Sequence, residues 1–349
     1  MDEFDQFLGH YRENEYNLAR APKRYLRDPG NLLEAFDDDQ FFRRYRFSKD
    51  VVLNIIFPLA RNVLETNTMQ GVKQPPMTRL LAVIQFYATG NFQIFTGDSH
   101  GVSQPTMCRL VKEVSKALAQ AHVNYVKFPE QLAPIKVAFQ GIGNFPGVVG
   151  CVDCTHVPIQ LPSVENGENY RNRKGTFSLN VQVIGGPNLE IWDVVSGWPG
   201  SVHDSRIFTN SRVCHRFERG EVRGILLGDS GYAQNTFLYT PLLNPTTPQE
   251  QRYNKAHIKT RNSVERLFGI WKRRFACLRR KLANSPVTCT HIVTACAVLH
   301  NIAVQTRQEL PAEDEVEEEV EEDVVVNDGV GRNGAGAVIR RAFINEHFA

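Results

Sequence analysis

The chain has no run of apolar side chains as long as a membrane span, and its first ten residues, MDEFDQFLGH, are acidic where a secretory leader would be apolar. The expectation is a soluble protein made in the cytosol. Cysteine is scarce, and its seven residues are odd in number and lack framework spacing, which argues for reduced thiols. Cys151-Val-Asp-Cys154 has no second CxxC, and on a strand its two sulfurs would point to opposite faces, so a zinc site is not expected. Gly141-Ile-Gly143 lacks both the strand-to-helix context and the following lysine of a phosphate loop, which argues against ATP use. Net charge is also small, +2 over 349 residues, but it is unevenly spread. Residues 313–349 hold 11 acids and three bases, leaving 37 bases against 27 acids in the body. A basic body of this kind suits a polyanion.

What is present centres on Gly147 to Ile159, GVVGCVDCTHVPI, a valine-rich run bounded by Pro146 and Pro158 that predicts a buried strand. Asp153 lies in its middle, where a carboxylate needs a cation or donors close by. A second apolar run, Ile225 to Tyr232, ends in Asp229 where Gly228, Ser230 and Gly231 signal a turn. Further on, Val264, Leu267, Phe268, Trp271, Phe275 and Leu278 repeat with helical period, and Glu265 falls beside that stripe. Two strand acids and one helix acid can converge. Converging carboxylates suit Mg²⁺, which takes hard oxygen ligands and in pairs clamps a phosphodiester undergoing displacement. Read singly, Asp229 is equally a turn residue and Glu265 a flank residue.

The remaining pattern predicts helices before the strands. Ser48 reads as an N-cap for a helix through Val51, Ile55, Leu59 and Val63, and Thr78 as the cap of LLAVIQFYAT, stopped by Gly90. FFRRYRF, from Phe41 to Phe47, reads as a hydrophobic helix entry with solvated arginines or as a DNA contact. GVSQPTMCRLVKEVSKAL, from Gly101 to Leu118, has helix-turn-helix spacing with Met107, Leu110, Val111, Val114 and Leu118 inward and Gln104, Thr106, Arg109 and Lys112 outward. An ordinary helical corner fits it too. Residues 131–145 read as a loop. Strands follow at Phe177 to Gly185 and Leu189 to Val195, then a helix near Ser205 to Arg216 and the strand to Asp229, an order that suits a mixed sheet.

From Arg252 to Lys281 there are 11 bases, among them Lys259, Arg261, Arg266, Lys272, Arg273 and Arg274, and the single acid Glu265. One-signed charge of this density predicts phosphate contact. Of three smaller patterns, the first two are set aside and the third stays open. GDSG at Gly228 to Gly231 and the order His156, Asp204, Ser230 imitate a serine protease, against a helix-rich context that such a fold lacks. Cys296 and His300, with His291, could hold a metal but fit a packed helix better. Asp204 in PGSVHD is either a cap for the following helix or a fourth acid, and His203 beside it is a loop anchor or phosphate donor.

VDCTH at Val152, WPGSVHDSRIF at Trp198, LLGDSGY at Leu226, RYNKAH at Arg252 and SVERLFGIWKRRF at Ser263 occur in this order, with 35 residues between Asp229 and Glu265. The array resembles the PIF/Harbinger transposases and the Harbinger transposase-derived nucleases of the DDE superfamily, over about Phe41 to Asn301. The resemblance implies an RNase H-like α/β fold with a mixed sheet and a catalytic DDE triad of Asp153, Asp229 and Glu265 holding Mg²⁺ or Mn²⁺. It also implies a metal-dependent DNA endonuclease or transposase, whose transposing relatives join the freed 3′-OH to target DNA. A domesticated, catalytically silent DNA-binding or scaffolding protein is the alternative. The organisation expected is an arm at 1–40, an all-helical lobe with the helix-turn-helix-like unit at 41–130, the nuclease domain at 145–306, an acidic and glycine-rich disordered linker at 307–337, and a short terminal helix at 338–349. Expected partners are DNA and a second copy of the chain, with no membrane. The resemblance adds a separate Myb-like DNA-binding protein that helps bring the transposase into the nucleus, so both nucleus and cytoplasm are expected. The Lys272 to Lys281 cluster, interleaved with Phe275, Cys277 and Leu278 in a packed helix, would be a poor import signal.

Overall fold

The computed structural model describes residues 30–65, 74–310 and 334–349. The amino-terminal arm to residue 29 and most of the expected linker lie outside the described residues. Helices begin earlier than expected, with α1 at Leu32–Ala35 and α2 at Asp38–Tyr45. Asp37 caps α2, its carboxylate accepting from the Gln40 N–H at 2.7 Å. Phe41, Tyr45 and Phe47 are buried, so the aromatics of FFRRYRF are core. Ser48 caps α3 (Lys49–Val51), which runs through a π turn at Val52–Ile56 into α4 (Phe57–Leu64). α5 spans Pro76–Thr89 and is not capped by Thr78: Pro75 takes the cap position, and Thr78 is buried in the first turn. Proline at N1 presets the helical φ and has no N–H to satisfy there. Gly90 ends α5 with φ +62°, where a Cβ would meet the Arg280 side chain at 2.8 Å.

Helix α6 (Gln93–Ser99), a turn with Gly101 at φ +64°, and α7 (Gln104–Gln120) form the helix-turn-helix unit. All five residues read as inward are buried, and Arg109 and Lys112 are exposed. After α8 (His122–Tyr125), the segment read as a loop is helix α9, Ala133–Gly143. Its glycines are the reason for the misreading. At Gly143 a Cβ would fall 2.2 Å from the Thr260 hydroxyl, so this glycine permits helix contact rather than breaking a helix.

The sheet contains β1 (Val148–Pro158), β2 (Ser178–Gly185), β3 (Ile191–Pro199), β4 (Ile225–Leu227) and β5 (Leu238–Tyr239), in the order β3-β2-β1-β4-β5. β1, β2 and β3 form an antiparallel meander, while β1, β4 and β5 run parallel. This is the mixed α/β sheet expected of an RNase H-like domain. The single helix expected near Ser205 is two, α10 (Asp204–Thr209) and α11 (Arg212–Glu218), because Ser211 starts a new helix by accepting from the Cys214 N–H at 3.2 Å.

Helix α12 spans Pro248–Arg274, starting in a capping box of Thr247 and Glu250. It stops before Phe275 and Leu278, which are buried beyond its end, so Arg279, Arg280 and Lys281 leave the helix and are exposed. α13 (Pro286–Gln305) packs on α7 and β3. By length and composition it could cross a membrane, contrary to the expectation that no segment would, and 72% of its most apolar 18-residue stretch is buried in the protein. The last helix, α14 (Gly334–His347), docks on the sheet domain. Phe343 stacks on Phe145 with centroids 5.5 Å apart, and the Arg252 guanidinium donates to the Phe348 carbonyl at 2.6 and 3.0 Å.

Candidate active site

Asp153 lies at the middle of β1, opposite Val183 of β2. On its other side β4 pairs with β1 only as far as Cys151↔Leu227, and continuing that parallel register by two residues brings Asp229 beside Asp153. Where β4 ends, the edge of β1 is free of strands and the chain turns. Asp229 makes that turn, its Oδ1 accepting from the Gly231 N–H at 3.0 Å. A cleft beyond the carboxyl end of a parallel strand is a common ligand position in α/β sheets.

The Asp153 side chain is 13% exposed and accepts from Arg261 Nη1 at 2.8 Å through Oδ2 and from the Cys154 N–H at 2.8 Å through Oδ1. Burial pushes its pKa up to about 8, opposed by Arg261 and reinforced by Asp229 and Asp204. Arg261 also pairs with Glu265, one turn along α12. One guanidinium therefore bridges the mid-strand acid and the helix acid. Glu265 remains 47% exposed.

Asp204 belongs to the same acidic neighbourhood. It does not cap α10, since His203 takes that position and its Nδ1 accepts from the Ser205 N–H at 3.3 Å. Asp204 instead accepts from Asn180 Nδ2 at 2.7 Å, and its charge helps raise both the Cys154 thiol and the Tyr232 phenol. Cys154 and Tyr232 touch at 3.3 Å. Asn180, Tyr232 and the bridging role of Arg261 were not foreseen from sequence. Only Arg261 left a signal, the i, i+4 spacing to Glu265 that permits an ion pair.

Among the described residues, no three acids, histidines or cysteines stand as a ready-made metal cage. The donor set nevertheless suits a hard cation. Asp229 and Asp204 lie close enough to reinforce the burial that raises the Asp153 pKa, while the guanidinium of Arg261 opposes it.

The bases expected to meet DNA divide sharply. Arg109, Lys112, Lys259 and Arg266 are exposed, as is Lys255. Lys272 is half-buried and donates to the His156 carbonyl at 3.2 Å, and Arg273 is half-buried too. Arg274 is only 4% exposed and donates to the carbonyls of Arg46 and Gln308, so it joins the lobe to the sheet domain and does not face a ligand. Arg261, turned onto the acids, is likewise not a free phosphate contact. The protease-like and metal-like patterns also resolve. His156 bonds Ser178, His300 bonds the Leu189 carbonyl, and the Cys296 sulfur lies 3.9 Å from that of Cys277 in the core.

Comparison with known proteins gives a consistent picture. The family model described as DDE superfamily endonuclease matches residues 152–301. A human protein named "Putative nuclease HARBI1" is 37% identical over 280 residues, covering 78% of this chain and 80% of its own. Its bovine counterpart is 35% identical over 303 residues, covering 83% and 86%. Protein ALP1-like of Arabidopsis thaliana is 24% identical over 243 residues, covering 65% and 60%. No solved structure matches the chain.

Proposed function

Because the chain belongs to the Harbinger transposase-derived branch of the DDE superfamily endonucleases, we propose that it cleaves DNA phosphodiester bonds at the Asp153 cleft with Mg²⁺ or Mn²⁺ as cofactor. The observation that carries this reading is the buried Asp153 carboxylate, flanked by Asp229 and Asp204 and paired with a shared arginine. Asp153, Asp229 and Glu265 would hold the metal, and Asp204 would add charge from its anchor on Asn180. When bound, the metal supplies Lewis acidity to a phosphodiester oxygen and to the attacking water. Arg261 charge-compensates Asp153 and Glu265 by donating to both. Lys255, Lys259 and Arg266 align the DNA backbone along α12.

The test is incubation of terminal-repeat DNA with the protein and Mg²⁺ or Mn²⁺. Wild type nicks or cuts the DNA, whereas Asp153→Asn drops to background while keeping its thermal melt. Unchanged cutting by Asp153→Asn would refute the assignment.

A second reading, a domesticated DNA-binding or scaffolding protein, is favoured by the same Arg261 bridge, which already satisfies two of the acids. It predicts no cleavage by wild type under any divalent metal. In either case the few outward bases of α7 suit outsourced sequence recognition by a Myb-like partner that also raises nuclear content. Tight, repeat-selective binding and nuclear accumulation of the protein expressed alone would overturn that part.

A further inference from the structure

The start of α6 carries an apolar patch that the cleft does not use. Phe92 and Phe95 are 75% and 64% exposed, with ring centroids 6.2 Å apart, and Ile94 beside them is exposed as well. Two large aromatic rings paired in solvent are unusual on a protein surface, which normally shows such residues singly. They border the exposed run Arg279, Arg280 and Lys281. The join is direct: Arg280 Nη1 donates to the Asn91 side chain at 3.4 Å, Gln93 to that of Asn284 at 3.4 Å, and the Arg280 stem crosses Gly90. The acid on α6 is Asp98, at the far end of the helix from Phe92.

We propose that Phe92, Phe95 and the Arg279–Lys281 run form a stacking platform for unpaired DNA bases. Aromatic faces that stack bases, beside cations that hold the backbone, are what single-stranded nucleic acid requires. A protein partner would need only the apolar surface. Three bases in sequence at its edge favour a polyanion, and rings in a tilted pair leave faces open for bases to cover. The platform lies at the seam of the helical lobe and the sheet domain, since the Arg279–Lys281 run leads directly into Leu282, whose N–H bonds Pro158 at the end of β1. DNA engaged at the cleft could thus pass an unpaired end to it. The inference rests on the chain acting on DNA but not on cleavage.

The experiment uses the full chain carrying Asp153→Asn, in EDTA, so that cutting plays no part. Fluorescence anisotropy compares a blunt duplex with the same duplex bearing a thymine overhang, and a 2-aminopurine in the overhang reports stacking. The overhang should tighten binding about tenfold and quench the 2-aminopurine, a stacking contribution of ordinary size. Phe92→Ala with Phe95→Ala should remove both effects and leave blunt-duplex binding within about twofold. Phe92→Trp should retain them. Arg279→Ala with Arg280→Ala should weaken overhang binding and flatten its salt dependence. All four positions are exposed, and melting curves check that the variants fold. An overhang that gives no gain, a double phenylalanine variant that loses blunt and overhang DNA alike, or one that abolishes self-association without changing overhang binding would overturn the proposal. So would tighter binding of the matching RNA overhang.

Discussion

Helices α7 and α12 both carry more bases than acids, and they use their charges differently. On α7 the apolar stripe takes one face, so Arg109 and Lys112 are outside by default. On α12 bases lie all round, and the neighbouring elements sort them. Lys255, Lys259 and Arg266 look out, whereas His257, Arg261 and Arg274 look in, to the Tyr239 carbonyl, the acids and the Arg46 and Gln308 carbonyls. Charge density on a helix therefore measures a binding surface only after the bases that serve the fold have been subtracted.

Removing an inward base should break this contrast most severely. Arg274→Ala removes two charge-assisted hydrogen bonds, to the carbonyls of Arg46 and Gln308, and a guanidinium lying over Phe47, 5.9 Å from the ring centroid. Hydrogen bonds from a charged donor are worth about 1.5–3 kcal/mol each, so a loss of roughly 3 kcal/mol in denaturant unfolding is expected, with DNA affinity unchanged. Burial already depresses the Arg274 pKa to about 10, as expected of a cation held by carbonyls alone.

His257, on the same inward face, sharpens the comparison through pH. Burial lowers its pKa to about 4. The folded value lies below the unfolded one, so its stabilisation is present above about pH 6.5 and is lost as pH falls through about 4. A shift of this size is worth roughly 3 kcal/mol. Because Asp153 titrates in the opposite sense, the quantity to read is the difference in melting temperature between wild type and His257→Gln. It should shrink from pH 7 to pH 4.5.

Much of this was legible in the sequence, and the misses have physical causes. β1 and its aspartate stand out because a buried strand is apolar on both faces and a carboxylate there is conspicuous. α7 is legible because its stripe is regular. β5 has two residues, Leu238 and Tyr239, too few for any periodicity. α9 was hidden by Gly141 and Gly143, and the reason for Gly143, close approach to Thr260, lies more than a hundred residues away. The inward turn of Arg261 was invisible for the same reason. Its partner Asp153 is 108 positions distant, and only the fold brings them together.

The outward bases of α12 should behave in the opposite way to Arg274. Lys255→Ala, Lys259→Ala and Arg266→Ala combined should leave unfolding unchanged within about 0.5 kcal/mol, as exposed sites do. They should weaken duplex binding about tenfold or more and make the salt slope shallower by roughly two to three, near 0.9 for each phosphate no longer neutralised. A smaller effect is expected at the base that faces both ways. Arg261→Gln frees the Asp153 and Glu265 carboxylates from their shared guanidinium but also removes the cation that opposes the rise of the Asp153 pKa to about 8, so the tighter Mn²⁺ binding expected of the variant, about fivefold to tenfold or about 1 kcal/mol, should emerge only as the pH is raised well past that value. Weaker binding would mean that Arg261 builds the site and does not hold it closed.

The smallest change is expected on α7. Arg109 and Lys112 are exposed, but Glu113 sits beside them on the same helix, and no further arginine or lysine joins them before Lys116. A helix that reads base edges in the major groove places several long donors there, each bidentate pair worth about 1–3 kcal/mol of discrimination. Two bases offset by an acid can hold phosphates but can hardly select a sequence. Arg109→Ala with Lys112→Ala should therefore weaken binding to repeat and unrelated duplexes equally, by no more than about fivefold, and reduce the salt slope by at most about two. Competition between the two duplexes on the double variant is the measurement. If the variant loses preference for the repeat while its affinity for unrelated DNA holds, α7 reads sequence after all, and the two basic helices divide the work as reader and backbone clamp.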